Sequence, residues 1–342
     1  MTALNVGLVG CGVMGHHYAR VITDCGHCRL AAVCDLEPAR GRQCAGEWGA
    51  GGVFTDHGDM LGTAKLDAVV VATPDFAHRE VVCDALAAGV PVLCEKPLAT
   101  TLADADAIVQ AGRAHSVPVM VNFGNRHRAN ARRVRELVLG GKLGRVEHVY
   151  IRLNERLCKT LTISWLQRTS PVWFLLSHCV DLVRWILDED FVDVSARSVQ
   201  GVVARTAPGV PDIVSALGTT ASGVCVNLES CWTMPDGYFG NIDFALQIIG
   251  EDGAIQADLF PHDLALHRHT DAMVQDYSMD VVAGAGHYSG WWEDSTRSFF
   301  QAIATEDLPS PDAAEAREVT RTLLALDASL QEGRRVRLDE VK

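Results

Sequence analysis

Val6-Gly7-Leu8-Val9 runs straight into Gly10-Cys11-Gly12-Val13-Met14-Gly15 and from there into a helix-like stretch. Glycines at this spacing are uninformative alone. They gain meaning when they follow a strand, open a helix and find an acidic residue at the end of the next strand. Here the next apolar run, Leu30-Ala31-Ala32-Val33-Cys34, ends on Asp35, 25 positions after Gly10. Gly10, Gly12 and Gly15 let the backbone turn sharply and approach a pyrophosphate. The amides of Val13 and Met14 then face the anion from a helix N-terminus. A carboxylate at Asp35 suits the ribose hydroxyls of NAD and repels the 2′-phosphate of NADP. Leu36 follows, where an arginine would serve a phosphate. NAD is the expected cofactor, with NADP the other admissible dinucleotide.

Outward from this motif, short apolar runs alternate with helical patterns. Strands are expected at 4–9, 30–34, 67–72, 90–94 and 118–121, and helices near 13–24, 37–48, 77–88 and 102–114. Such alternation predicts a doubly wound parallel sheet of the Rossmann type. The run Ala68-Val69-Val70-Val71-Ala72 fits a central strand buried on both faces. After about residue 123 the texture changes. A basic helix over 127–139 leads to strands expected at 146–154, 192–205, 211–218, 224–232, 242–249, 253–257 and 264–268. A helix over 172–187 interrupts them, and helices over 291–305 and 311–332, then a short strand at 335–338, close the chain. This half reads as an α+β domain with a large, mostly antiparallel open-faced sheet. The expected domains are 1–122 and 123–342, with helix 311–332 able to pack back on the first.

Composition narrows the function. The 342 residues suffice for two domains. A formal net charge of -13 argues against nucleic acid and anionic membranes as partners, because both reward clustered Lys and Arg. No apolar run approaches a membrane span, and the first strand begins too early for a secretory leader. Eleven cysteines, several of them in apolar strands, suit a reducing cytoplasm better than a disulfide framework. One pattern, Cys25-Gly26-His27-Cys28, has the spacing of thiol–disulfide exchange sites. It follows the first helix, however, where the helix terminus is negative and should raise a thiol pKa. No redox role and no metal site is expected from it.

Ligands of open parallel sheets bind at the carboxyl ends of the strands. Three segments obey that rule: Gly10–Gly15, Thr73-Pro74-Asp75-Phe76-Ala77-His78, and Glu95-Lys96-Pro97. Lys96 is the side chain best suited to chemistry. A lysine partly withdrawn from water exchanges its proton more readily than arginine, as a group serving an alcohol must. A surface lysine in a strand-to-helix loop is the plain alternative.

These segments, with His178-Cys179-Val180-Asp181 and Trp185 further on, resemble the Gfo/Idh/MocA family of glucose-fructose oxidoreductases and inositol dehydrogenases. The resemblance covers essentially the whole chain. It rests chiefly on Glu95-Lys96-Pro97 followed some 80 residues later by His-x-x-Asp. It implies a nucleotide-binding domain, a second domain with an open-faced sheet, and NAD(P)-linked redox at a secondary hydroxyl of a sugar, sugar derivative or cyclitol. By the same resemblance Lys96, His178 and Asp181 are the catalytic residues, and the Lys96-Pro97 bond is cis. Thr73, Pro74, His78, Glu95 and Lys96 join Gly10, Gly12, Val13, Met14, Gly15 and Asp35 around the cofactor.

His178 and Asp181 share a helix face at i and i+3. With Lys96, Arg126, Trp165 and Phe174 they make the expected substrate set. Phe174 is a departure: the family commonly has Asp four residues before the histidine. Phe cannot move a proton, but it can stack on the apolar face of a sugar ring. Two other readings use the same fold: a regulatory protein that binds NAD(P) and sugar without turnover, and an enzyme that keeps NAD as an internal redox relay. A homo-oligomer, dimer or tetramer, is expected to cover the sheet face.

Overall fold

The computed structural model describes residues 3–238, 242–260, 264–267, 272–275, 281–282 and 288–342; side chains in 264–289 fall outside the description. The first elements are β1 (Leu4–Val9), α1 (Val13–Asp24), β2 (Cys28–Cys34), α2 (Pro38–Trp48), β3 (Gly52–Phe54), α3 (His57–Thr63), β4 (Ala68–Val71), α4 (His78–Ala87), β5 (Val92–Cys94), α5 (Leu102–His115) and β6 (Val119–Val121). Next come α6 (Ala129–Leu139), β7 (Val146–Arg156), α7 (Leu157–Thr160), a π-helical turn over Val172–Leu176, and α8 (Ser177–Leu187). The strands β8 (Phe191–Val199), β9 (Ile213–Thr220), β10 (Cys225–Met234), β11 (Ile242–Gly250) and β12 (Gly253–Asp258) follow. Short strands β13 (Leu264–His267), β14 (Ala272–Gln275), β15 (Val281–Val282) and β16 (Tyr288–Ser289) lead to α9 (Trp291–Thr305), α10 (Ala313–Glu332) and β17 (Val336–Arg337).

The chain divides into two units, Met1–Gly124 with Asp280–Thr320, and Asn125–Met279 with Arg321–Lys342. In the first, six strands lie in the order β3-β2-β1-β4-β5-β6. Every pairing is parallel. The order reverses at β1 and β4, the switch point where doubly wound sheets open a crevice at their carboxyl ends. All four residues of β4 are buried, as its unbroken β-branched run requires. Sequence signals set the helix limits. Pro38 opens α2, Gly49 ends it at φ +70°, and the Thr101 hydroxyl caps α5 by accepting from the Asp104 amide at 3.1 Å.

The second unit holds a seven-stranded sheet, β12-β11-β7-β10-β9-β8-β17. It is antiparallel except at β10 and β7, which run parallel. Alternation along β9 buries Val214, Ala216, Gly218 and Thr220 and turns Ser215 and Leu217 outward. The parallel β10/β7 pair leaves the mostly antiparallel expectation intact.

Three local expectations need correction. β3 and α3 were not foreseen. The strand expected to reach 205 stops at Val199, because the Asp212 carboxylate accepts from the amides of Gly201, Val202 and Val203 and folds that segment into a turn. The helix expected from 172 begins as the π-helical turn. Among the described residues no helix is long and apolar enough to cross a membrane.

Candidate functional site

In the first unit, Gly10 sits at φ +95°, and a Cβ there would meet the Ala72 carbonyl oxygen at 2.6 Å. A Cβ on Gly15 would meet the Gly10 oxygen at 2.0 Å. Both glycines are therefore required by the protein's own packing. Gly12 differs: nothing lies within 4 Å of its ideal Cβ. It opens α1 without any side-chain cap and without an acidic residue in the first turn. The Val13 side chain is 77% exposed. An uncapped helix end beside open space is a cradle for an anion.

Asp35, at the end of β2, is held by two amides: Cys11 N–H donates to Oδ2 and Glu37 N–H to Oδ1, both at 2.8 Å. Each oxygen retains a second lone pair for a ribose hydroxyl. At the end of β4, the buried Thr73 Oγ has no hydrogen-bond partner within the protein. The open cradle, the oriented carboxylate and the orphaned hydroxyl together fit a dinucleotide.

Lys96 follows β5 in a half-buried position, and its bond to Pro97 is cis. Its amide donates to Glu95 Oε2 at 3.0 Å. The other carboxylate oxygen, Oε1, accepts from the Tyr18 hydroxyl at 2.6 Å. Asn122 Nδ2 donates to that hydroxyl at 2.7 Å, and Ser295 Oγ donates to Asn122 Oδ1 at 2.7 Å. Burial and the neighbouring Glu95 push the Tyr18 phenol well above its ordinary pKa, so it stays a donor. The Tyr18 ring packs on Trp292 with centroids 4.6 Å apart. Glu95 is thereby fixed from both sides, and with it the backbone that carries Lys96.

His78, expected at the cofactor, is fully buried. Its Nδ1 lies 2.9 Å from the Pro97 carbonyl oxygen and its Nε2 3.0 Å from that of Thr73. This corrects the expectation: the ring ties the β4 and β5 loops together and presents no edge to a ligand. Pro74 caps the short turn that carries Asp75 to Ala77. In the Cys25–Cys28 turn the two thiols shift in opposite directions. Cys25 is lowered to about 6, chiefly because the Cys28 thiol donates to it, while Cys28 itself is raised.

In the second unit, His178 lies one residue into α8, just after the π-helical turn, a feature common at functional sites. Asn125 Nδ2 lies 3.1 Å from His178 Nδ1. Arg128 Nε donates to Asn125 Oδ1 at 2.8 Å, which fixes the amide's orientation. Nδ1 is then the acceptor, and the ring proton of the neutral tautomer sits on Nε2.

Asp181 is 1% exposed, and Arg126 grips it with Nε and Nη2 at distances from 2.6 to 3.2 Å. Both were expected to touch substrate. The structure corrects this: they neutralise each other in a buried pair, with the Arg126 guanidinium 5.9 Å from the Trp185 ring centroid. Phe174 is half-buried and meets Trp232 edge-on at 5.9 Å. Trp165 is half-buried ahead of the turn.

Lys96 lies directly after β5 and His178 in α8, the elements on which sequence reading set them. It missed Tyr18, Asn122, Ser295 and Arg128, whose only signal was position: Tyr18 stands three residues after Gly15, and Asn122 directly follows β6.

Comparison with known proteins gives the family of both domains. Residues 4–123 match the model of the oxidoreductase family with an NAD-binding Rossmann fold, GFO_IDH_MocA. Residues 131–256 match the GFO/IDH/MocA C-terminal domain. The chain is 31% identical to an inositol 2-dehydrogenase of Acidothermus cellulolyticus, over 92% of this chain and 95% of that one. It is 33% identical to inositol 2-dehydrogenase 1 of Saccharopolyspora erythraea, over 75% and 74%. Among solved structures, scyllo-inositol dehydrogenase of Lactobacillus casei with bound NAD(H) and scyllo-inositol superposes with a TM-score of 0.85 at 19% identity, covering 99% of this chain and all (100%) of that one. An oxidoreductase domain protein of Kribbella flavida gives 0.84 at 25% identity, with 99% and 100% covered. On the strength of both matched domains and of relatives that align along nearly their full length, the chain belongs to the Gfo/Idh/MocA family of NAD-binding oxidoreductases.

Proposed function

We propose that this chain interconverts a secondary alcohol and a ketone on a cyclitol or sugar, using NAD, with inositols the first substrates to try. The observation that carries the reading is Lys96, set at the carboxyl end of β5 on a backbone that Glu95, Tyr18, Asn122 and Ser295 hold in place. The inositol dehydrogenases among its relatives support the substrate class.

When bound, the dinucleotide supplies the two-electron acceptor. Gly12 and the first turn of α1 receive its pyrophosphate, and Asp35 its adenosine ribose. Lys96 Nζ binds the reacting oxygen, takes the hydroxyl proton during oxidation and returns it during reduction. His178, with its proton on Nε2, donates to a substrate oxygen. Asp181 and Arg126 position the α8 face without touching substrate. Phe174 replaces a carboxylate with an apolar ring and so carries no proton.

The test follows NADH formation on a panel of cyclitols and sugars with wild type and Lys96→Ala. Loss of a positioned acid–base group should reduce kcat about 10²–10⁴-fold while NADH binding persists. Equal rates would remove Lys96 from the mechanism. A wild type that binds NAD and turns over no member of the panel would leave a regulatory binder.

The outward face of the second sheet carries Tyr150, Arg152 and the 53% exposed Leu217. We infer that a homo-oligomer covers it, which sedimentation equilibrium would test. A reducing, cytoplasmic setting is the proposal for a chain with eleven free cysteines, nine of them buried or half-buried.

A further inference from the structure

The turn between α1 and β2 gathers three soft donors. Cys25 ends α1 with its N–H on the Val21 carbonyl at 3.0 Å, and Cys28 N–H returns to the Cys25 carbonyl at 2.9 Å. The two sulfurs and a His27 ring nitrogen then lie within 4.8 Å of one another. Cys25 Sγ is 3.4 Å from His27 Nδ1 and 3.5 Å from Nε2, so a rotation of the ring offers either nitrogen.

Around a tetrahedral ion with metal–sulfur bonds of about 2.3 Å and metal–nitrogen bonds of about 2.0 Å, the donors stand about 3.5 Å apart for S–N and about 3.8 Å for S–S. The Cys25–His27 pair already stands at the S–N spacing, and all three donors lie within 4.8 Å of one another. No other trio of such donors meets this way among the described residues.

We propose that Cys25, His27 and Cys28 bind one thiophilic ion of the zinc class, at the end of α1 remote from the Gly10–Gly15 turn. The polarity of α1 favours it. The last-turn carbonyls give that end a negative partial charge, which stabilises a cation. The nearby Arg297 is occupied by Asp24 at 2.8 Å, so its charge is offset. Gly26 is exposed, with nothing within 4 Å of its ideal Cβ, and leaves a path of entry. Three protein donors leave a fourth position for water or an external thiol. The ion would fasten the end of α1 to the start of β2, about 18 Å along the helix from the nucleotide turn.

The test is an anaerobic titration of reduced full-length protein with cobalt(II) chloride, followed by zinc chloride. Wild type should take up one ion more per chain than Cys28→Ser or His27→Ala. It should also show a thiolate-to-cobalt charge-transfer band that Cys28→Ser weakens and zinc abolishes. The exposed cysteines Cys158 and Cys225 remain in every variant, so adventitious uptake there cancels. His27 is half-buried on the turn, so His27→Ala keeps a folded comparison available. No band in wild type, or equal uptake by all three proteins, would overturn the assignment.

Discussion

Gly12→Ala separates the glycine the fold needs from the one a ligand needs. Gly12 sits at φ -78°, ψ -163°, a conformation alanine adopts freely, and its ideal Cβ has no neighbour within 4 Å. The folded protein therefore feels no clash. The unfolded chain loses conformational freedom, which should stabilise the variant by about 0.4–1 kcal/mol. The pyrophosphate is another matter, because the added methyl stands where the dinucleotide must approach. Overpacking by one carbon costs about 1–3 kcal/mol, or about 5- to 150-fold in the dissociation constant. Thermal melting read beside an NADH fluorescence titration tests both halves: melting equal to or above wild type, binding at least about five-fold weaker. Gly15→Ala is the control, since its Cβ would stand 2.0 Å from the Gly10 carbonyl oxygen and should cost the fold itself. Wild-type affinity in a stable Gly12→Ala would refute the placement of the pyrophosphate.

Three further outcomes follow from the geometry. Tyr18→Phe keeps the ring on Trp292 but removes the donor to Glu95 and the acceptor for Asn122, and should cost about 2–4 kcal/mol in urea unfolding together with a fall in kcat. Asp181→Ala leaves the Arg126 charge buried without its carboxylate and should destabilise by about 3–5 kcal/mol, a loss readable in the same assay. Asp327, which accepts from Trp173 Nε1 at 2.6 Å, has its pKa raised by burial from 3.8 to about 6. A raised carboxyl favours the folded state at low pH and loses that advantage as pH climbs through about 6. Asp327→Asn should therefore stabilise by up to about 3 kcal/mol above that pH and by little below pH 4, as melting curves across the range would show.

The sequence made the first unit legible because its signals are local. Strand, glycine turn, helix and acidic residue fall within one short stretch, and β4 announces itself by its unbroken apolar run from Ala68 to Val71. β3 escaped because three residues beginning at Gly52 carry no period. α3 has seven residues, two of them glycines, and gives too few turns for an apolar stripe. The π-helical turn has no compositional mark at all. The polar network was out of reach for another reason: Asn122 stands 104 residues from Tyr18, and Ser295 173 residues from Asn122. Asp181 was placed on the correct helix face, but its role turns on Arg126, 55 positions away, and no helix periodicity reaches that far.

One imidazole carries a mechanical consequence. Since the His78 ring spans the carbonyls of Thr73 and Pro97, the two segments inherit each other's thermal motion. A jolt at Thr73 arrives at Pro97 by a strut one ring long, beside the ladder bond from Glu95 N–H to the Val71 carbonyl. Any shorter side chain at position 78 would remove that strut and leave the β4/β5 ladder, which ends with the Glu95 N–H on the Val71 carbonyl at 2.9 Å, as the tie between the two segments.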